Sequence, residues 1–327
     1  MNKKLISFVV VIISLILVAI YSAVTGSIHV TMFDLVKGLV TGTNPDVQII
    51  KDLRLPRIII AVFAGASLSV AGVLLQAVMR NPLAEPGIIG VSSGASFMSV
   101  FMVSIFPTLF FYMPLFGFLG GALAFFLVYS FSWKSGLNPL RMILVGVAIN
   151  AIFTSLSQTF NYRGSYTSSL VVDVTTSTLS MKTWSDVEMI VIYGSIGLVL
   201  AIFVFSWCNY LALEDKTAKS LGFNVNIARI VISAIAILLA SIATATAGMF
   251  LFVGLLVPHI GRLLVGTDHK LLIPFSSLLG GLFILLSDTL GRTIIAPNEI
   301  PASIIMALIG GPFLILLLRK SDRIYGN

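Results

Sequence analysis

The chain has 327 residues, 57% hydrophobic and only 10% charged, with 20 basic and 13 acidic side chains and a formal net charge of +7; its mean hydropathy is +1.06. A soluble globular protein carries about 25% charged residues, so a soluble enzyme, a nucleic-acid-binding domain and a disordered chain are excluded. The basic residues form no cluster longer than two and mostly sit at the ends of apolar runs, where they orient a chain in a membrane.

A transmembrane helix needs about 20 mostly apolar residues. Ten such runs are bounded by charge, Pro or Gly: 5–26, 57–79, 88–107, 112–132, 141–160, 187–209, 227–246, 249–265, 271–290 and 301–318. The first follows Asn2-Lys3-Lys4 and ends near Tyr21-Ser22-Ala23, as a signal peptide would. Its apolar stretch exceeds the roughly 7 to 15 residues of a signal core, so a retained first span is expected. Ahead of the second run stands Lys51-Asp52-Leu53-Arg54-Leu55-Pro56-Arg57. Small residues then recur at helix-packing spacing: Ala61, Gly65 and Ser69, then Gly90 and Gly94, then Gly117 and Gly121. Such spacing lets helix backbones approach closely within a bundle.

Between the second and third runs, Asn81-Pro82-Leu83-Ala84-Glu85-Pro86-Gly87 holds two prolines that stop one helix and delay the next. The third run is interrupted by Gly and Ser and the eighth by Pro258-His259, where a break or kink is predicted. The single cysteine, Cys208, lies in the sixth run and reads as a buried small hydrophobe, so a disulfide or a cysteine metal site within one chain is excluded. After it comes the longest polar inner segment, 211–222, with Gly222 placed to end a short helix. Its Leu213, Ala218 and Leu221 could press into a partner's groove, flanked by Glu214, Lys216 and Lys219; the alternative is a solvated connector. His259 and His29 have no Cys, Asp, Glu or His at ligand spacing, and no metal site is expected. Asp288 and Arg292, at i and i+4, can pair at an outer helix end.

Ten spans put both termini on one side. With the N-terminus inside, 13 basic residues lie inside and 7 outside, against 5 and 8 acidic ones, which favours an N-in, C-in orientation. Three of the outside basic residues fall within 51–57, an exception that invites a functional reason. No Asp, Glu, Lys or Arg occupies the middle of an assigned span. Ion-coupled transporters keep such residues for coupling, so a secondary transporter is disfavoured. No Lys follows a Gly, so the phosphate-binding loop ending in Gly-Lys-Ser/Thr is absent and energy must come from a partner. A membrane enzyme would need a catalytic His, Asp or Glu cluster, and no catalytic residue is visible.

Eight motifs in chain order resemble one family: Leu53-Arg54-Leu55-Pro56-Arg57; Gln76 with Asn81-Pro82-Leu83-Ala84-Glu85-Pro86-Gly87; Gly90-Val91-Ser92-Ser93-Gly94-Ala95; Leu144-Val145-Gly146-Val147-Ala148; Ala218-Lys219-Ser220-Leu221-Gly222; Gly254-Leu255-Leu256-Val257-Pro258-His259; Asp268-His269-Lys270; and Glu299-Ile300-Pro301. Together they resemble the permease subunits of the iron-siderophore, haem and vitamin B12 ABC importers, the FecCD or BtuC type. The resemblance implies an all-α polytopic membrane protein, a single transmembrane permease domain over 1–327 with about ten helices and a BtuC-like type II importer fold. It also implies a pairing with itself or a close relative, two cytoplasmic ATPase subunits that use ATP and Mg, and an external binding protein or lipoprotein. The chain itself would bind no cofactor.

By position, the resemblance implies that Arg54, Arg57 and Arg292 face outward and receive acidic side chains of the binding protein. It makes Leu213, Glu214, Ala218, Lys219, Leu221 and Gly222 the segment coupled to the ATPase. Helices five and ten would line the path, with Asn150, Ser155, Gln158 and Thr159 from one and Ser303 and Met306 from the other. Pro301-Ala302-Ser303 departs from the pattern, since many relatives carry Gly there, and 161–185 is expected to adapt to a particular binding protein. The function implied is import of an iron chelate, a ferric siderophore or haem, across the cytoplasmic membrane, with Met181-Lys182-Thr183-Trp184-Ser185-Asp186 inclining it towards haem. Cobalamin is the alternative cargo.

Overall fold

The computed structural model describes residues 3–25, 44–132, 139–159, 179–296 and 298–325. Most of the segment 161–185 expected to meet a binding protein lies outside the described residues. The long helices are α1 (Lys3–Val24), α2 (Leu55–Met79), α3 (Val91–Ile105), α4 (Met113–Ser132), α5 (Pro139–Thr159), α6 (Trp184–Phe203), α7 (Val225–Ala247), α8 (Val253–Val265), α9 (His269–Thr293) and α10 (Ala302–Tyr325). Among the described residues there is no strand. Among the described residues, seven helices are long and apolar enough to cross a membrane, and the shorter apolar helices are 91–105, 253–265 and 302–316.

The hub is α2, buried along most of its length and surrounded by α6, α7, α8 and α9. It starts after a short helix, Pro45–Ile49, and a π-helical turn, Ile50–Arg54, with a proline in its own first turn. Arg80 closes it in the left-handed conformation at φ 48°. Lipid offers no hydrophobic contrast to hold two apolar helices together, so close backbone contact must do so. Glycine permits it here: a Cβ on Gly65 would lie 2.1 Å from the Gly280 carbonyl oxygen of α9. The helices α3 and α4 make a second close pair, where a Cβ on Gly94 would lie 2.5 Å from the Gly120 carbonyl oxygen. This pair reaches the hub through α7, which packs on both of them and on α2.

The outer layer is less buried. Along α1, Val11, Ser22 and Ala23 are buried, and the helix lies on α9, with Phe8 edge-on to Phe275 at 5.1 Å. The sixth apolar run divides at Val204 into α6 and a short helix, Phe205–Leu211. Thr183 and Asp186 form a capping box that starts α6.

The predicted interruption of the eighth run falls elsewhere. The helix α8 runs unbroken through Pro258, and the chain instead breaks before it, at 248–252, where Gly248 and Phe252 take φ of 84° and 70°. A helical proline removes the bond to the carbonyl four residues back, here that of Gly254. That carbonyl instead accepts a hydrogen bond from Gln76 Nε2 at 3.0 Å. The helix therefore tolerates its proline because a neighbouring side chain satisfies the vacated acceptor.

Candidate translocation path and docking surfaces

A cavity of about 370 Å³ opens between α5, α10, the turn before α3 and the loop before α8. Asn150 and Thr154 line it from α5, and Ser303, Ile304 and Ala307 from α10. Gly87, Ser92 and the loop Met249-Phe250-Leu251 complete the wall, which carries no charged side chain. Neutral, mild groups let a bulky solute pass without being held. The spacing on α5 is i, i+4, one helical face.

Of the six residues expected along the path, Asn150 and Ser303 line this cavity and four do not. Met306 is fully buried with Ala302 and Ile305 on the core face of α10, so it does not reach the cavity. Ser155, Gln158 and Thr159 are exposed on α5 but lie at other helical angles from Asn150, outside this wall.

The wall is braced by the buried carboxyl group of the two-proline turn. Glu85, 1% exposed, accepts from the backbone N–H of Phe252 at 2.6 Å and ties the turn before α3 to the loop before α8.

At another end of the bundle the arginines form an internal cluster. Arg57 gives Nε and Nη2 to Asp288, with contacts from 2.8 to 3.0 Å, and Nη1 to Glu299 at 2.9 and 3.2 Å. Arg292 reaches Asp288 at 3.5 Å and donates to the hydroxyl and carbonyl oxygens of Ser22. Arg54 donates to the carbonyls of Ala23 at 2.9 Å and Val24 at 3.3 Å, the end of α1. The expectation of outward-facing guanidiniums is thus corrected for two of the three: Arg57 and Arg292 are 11% and 10% exposed, and Asp288 holds both. A buried carboxylate needs such partners, because its desolvation is otherwise uncompensated. Glu299 is the exposed member at 40% and also accepts from Ser180 Oγ at 2.9 Å. Burial raises its carboxyl, but Arg57 and the Ser180 hydroxyl outweigh burial and hold it below the ordinary glutamate range.

The polar segment 211–222 folds into a short helix, Asp215–Ser220, and Gly222 follows it at φ 78° with open space where a Cβ would sit. Asp215 pins this helix, accepting from Arg80 at 2.7 Å and from Arg229 at 3.1 Å. Arg80 also donates to the carbonyls of Leu211 and Leu213. Leu213, Glu214, Lys219 and Leu221 are exposed, Leu221 by 64%. Ala218 is a correction: it is fully buried and packs inward, so it cannot press into a partner. Beside the helix a polar cavity of about 540 Å³ is lined by Gln76, Arg80, Asn209, Arg262, Asp268 and His269 among others. Asp268 and His269 begin α9 and share Asn209, whose Nδ2 donates to Asp268 at 2.8 Å and whose Oδ1 accepts from the His269 backbone at 3.0 Å.

The profile of the FecCD transport family matches residues 12–320. The chain belongs to the FecCD transport family. FecCD-type relatives include the probable heme-iron transport system permease proteins IsdF of Staphylococcus aureus strains MSSA476 and Newman. Each is 41% identical over 322 residues, covering 98% of both chains. A solved inward-facing structure assigned to the metal-chelate type of ABC transporter matches with a TM-score of 0.79 at 28% identity, over 97% of this chain and 99% of that one. PsaBC from Streptococcus pneumoniae, solved with a Fab, shares the fold at a TM-score of 0.61 and 16% identity, over 88% of this chain and 95% of that one.

In this FecCD chain the motifs gather at three places. Leu53–Arg57 and Glu299–Pro301 meet in the arginine cluster, Gln76 and Gly254–His259 meet between α2 and α8, and Ala218–Gly222 forms the pinned helix. Sequence reasoning missed Thr154, Ile304, Ala307 and the loop 249–251 as cavity wall, and Arg80, Asp215 and Arg229 as the pins. Thr154 was accessible in principle, one turn beyond Asn150. The pins pair residues 14 and 135 positions apart and had no local signal.

Proposed function

We propose that this multi-pass membrane protein is the permease subunit of an ATP-driven importer that carries an iron chelate across the cytoplasmic membrane. The observation that carries the reading is the full-length likeness to permeases named for heme-iron transport. The uncharged cavity between α5 and α10 agrees with it, since it offers a bulky ligand passage without a tight charged site. Between haem and a ferric siderophore, the relatives favour haem.

On this reading the chain is one permease domain that crosses the membrane ten times with both termini in the cytoplasm. The exposed apolar faces of α5 and α10, with Leu144, Val147, Ile304 and Leu308, meet lipid and a second permease subunit. ATP and Mg are used by two ATPase subunits on the cytoplasmic side, against Leu213, Glu214, Lys219 and Leu221. An external binding protein delivers the chelate, its acidic side chains approaching the cluster of Arg54, Arg57 and Arg292. Such charge pairs set orientation as well as encounter rate.

The test is uptake of haem, ferric siderophores and cobalamin by cells lacking this chain, complemented or not. Loss of haem uptake alone, restored by the chain, supports the reading. Unchanged uptake of every iron chelate overturns it, and loss of cobalamin uptake alone would transfer the chain to that cargo.

A further inference from the structure

We propose that Glu299 is a positioning residue for transport, a detachable strap that holds the outer end of the path helix α10 against α2 and α9. It stands four residues ahead of Ser303, which lines the cavity. Its carboxylate takes Nη1 of Arg57 from α2 and the hydroxyl of Ser180. The next residue, Ile300, gives its backbone N–H to the Gly291 carbonyl of α9 at 2.9 Å. Two consecutive residues are therefore fastened to two different helices, immediately before the helix whose first turns form the cavity wall.

The two edges of Arg57 differ in permanence. Asp288 holds Nε and Nη2 with 1% exposure, while Glu299 holds Nη1 with 40% exposure. Solvent screening and competition act on the exposed pair and hardly on the buried one. When Glu299 lets go, Asp288 keeps the guanidinium in place, and Nη1, left with the Ser180 hydroxyl at 3.4 Å, is opened to an incoming acceptor. Two arginines, Arg57 and Arg292, pair with the two carboxylates, so this group of four is neutral with the strap closed and carries one net positive charge on its protein groups with the strap open. A carboxylate arriving from outside restores the balance. Resting on the docking reading above, that carboxylate is an acidic side chain of the binding protein, and its arrival transfers Arg57 from the strap to the partner. The first turns of α10 are then released at the cavity.

The test is hydrogen–deuterium exchange on the full chain in lipid nanodiscs without any partner. In Glu299→Gln, amides over residues 302–307 exchange about tenfold faster, as loss of charge-assisted hydrogen bonds predicts, while α2 and the inner half of α9 are unchanged. In the wild type the same amides speed up when ionic strength rises from about 0.05 to about 1 M, and Glu299→Gln abolishes that response. Unchanged exchange over 302–307, or an equal rise in all helices, overturns the proposal. Ser180→Ala removes one donor to Glu299 and leaves the Arg57–Asp288 pair in place; it gives a smaller rise, about twofold, in the same amides. If Glu299→Gln does not fold, an unchanged Ser180→Ala overturns the proposal alone. The docking reading rests on a different measurement, capture of the binding protein by Arg54→Glu, so the two can fail separately.

Discussion

The side-chain amide of Gln76 donates at 3.0 Å to the carbonyl of Gly254, the acceptor that Pro258 leaves free one turn later. The same side chain accepts from Arg262 Nη2 at 2.6 Å, so one residue of α2 satisfies a broken helical bond and a cation on α8. A Cβ on Gly72 would lie 2.0 Å from the Gly254 oxygen, which shows how closely the two backbones run. Gln76→Leu strands both groups and is expected to cost about 1–3 kcal/mol, read as a lower unfolding midpoint in detergent. Gln76→Glu keeps the bond to Arg262 and loses the donor to Gly254, so its midpoint should fall less. Equal stability of wild type and Gln76→Leu would contradict this account.

Arg54 and Arg57 separate docking from folding. Arg57→Ala leaves Asp288 buried with Arg292 as its remaining cation, and breaking a buried pair costs about 3–5 kcal/mol. Arg57→Ala is therefore expected to yield little folded protein. Arg54, half-buried and donating to the carbonyls of Ala23 and Val24, is expected to tolerate Arg54→Glu better than Arg57 tolerates alanine. Arg54→Glu should weaken binding-protein capture at least tenfold while leaving ATPase association intact. Loss of both associations together would mark misfolding.

The strap has a defined pH window. Glu299 faces Arg57 from α2, Arg292 and Asp288 from α9, and the Ser180 hydroxyl, and its carboxyl is held below the ordinary glutamate range. A carboxyl lowered on folding stabilises the folded state above its unfolded value, and that contribution is lost as pH falls through the folded one. Exchange of amides 302–307, corrected for intrinsic rates, should thus stay slow through the ordinary glutamate range and rise only below it. A rise centred near neutrality would show that another group controls this segment.

Around the short helix Asp215–Ser220, exposure predicts which substitutions uncouple and which unfold. Leu221→Ala and Glu214→Ala remove groups in solvent and should change stability by no more than about 0.5 kcal/mol, yet raise the ATP hydrolysed per chelate imported. Asp215→Ala frees the helix from Arg80 and Arg229 and should lower ATPase association as well. Normal coupling in Leu221→Ala would remove this surface from the mechanism.

The cavity wall is tested by bulk. Thr154→Trp and Ser303→Trp each place a large ring in a space of about 370 Å³ and should cut uptake severely without altering the amount of folded protein. Gln158→Ala, on another face of α5, should transport normally. Free passage through Thr154→Trp would mean that the ligand travels elsewhere.

Much of this was legible because it depends on composition and local order. The apolar runs fell where helices form, since burial in lipid requires about 20 residues without charge. Gly222 ended a short helix as placed, and the small residues of the second run packed against another backbone at Gly65 and Gly280. The break in the eighth run was misplaced at Pro258, because the rule that proline interrupts a helix counts only the lost bond. It does not see Gln76, 178 positions from Gly254, supplying the missing donor.

The sequence by itself determined the class of the molecule, the apolar runs from which its helices form and the small set of charges from which any polar machinery is built. Only the tertiary structure decided which charges meet. Arg57 finds Asp288 and Glu299 more than 230 positions away and shares Asp288 with Arg292, turning two arginines expected to face outward into one internal cluster. It also decided the phase of each helix, burying Met306 and Ala218 and exposing Ser303 and Leu221 in part or whole. The reason is that helix formation in an apolar medium is satisfied within each segment, whereas pairing of charges and choice of face depend on neighbours that chain order does not name.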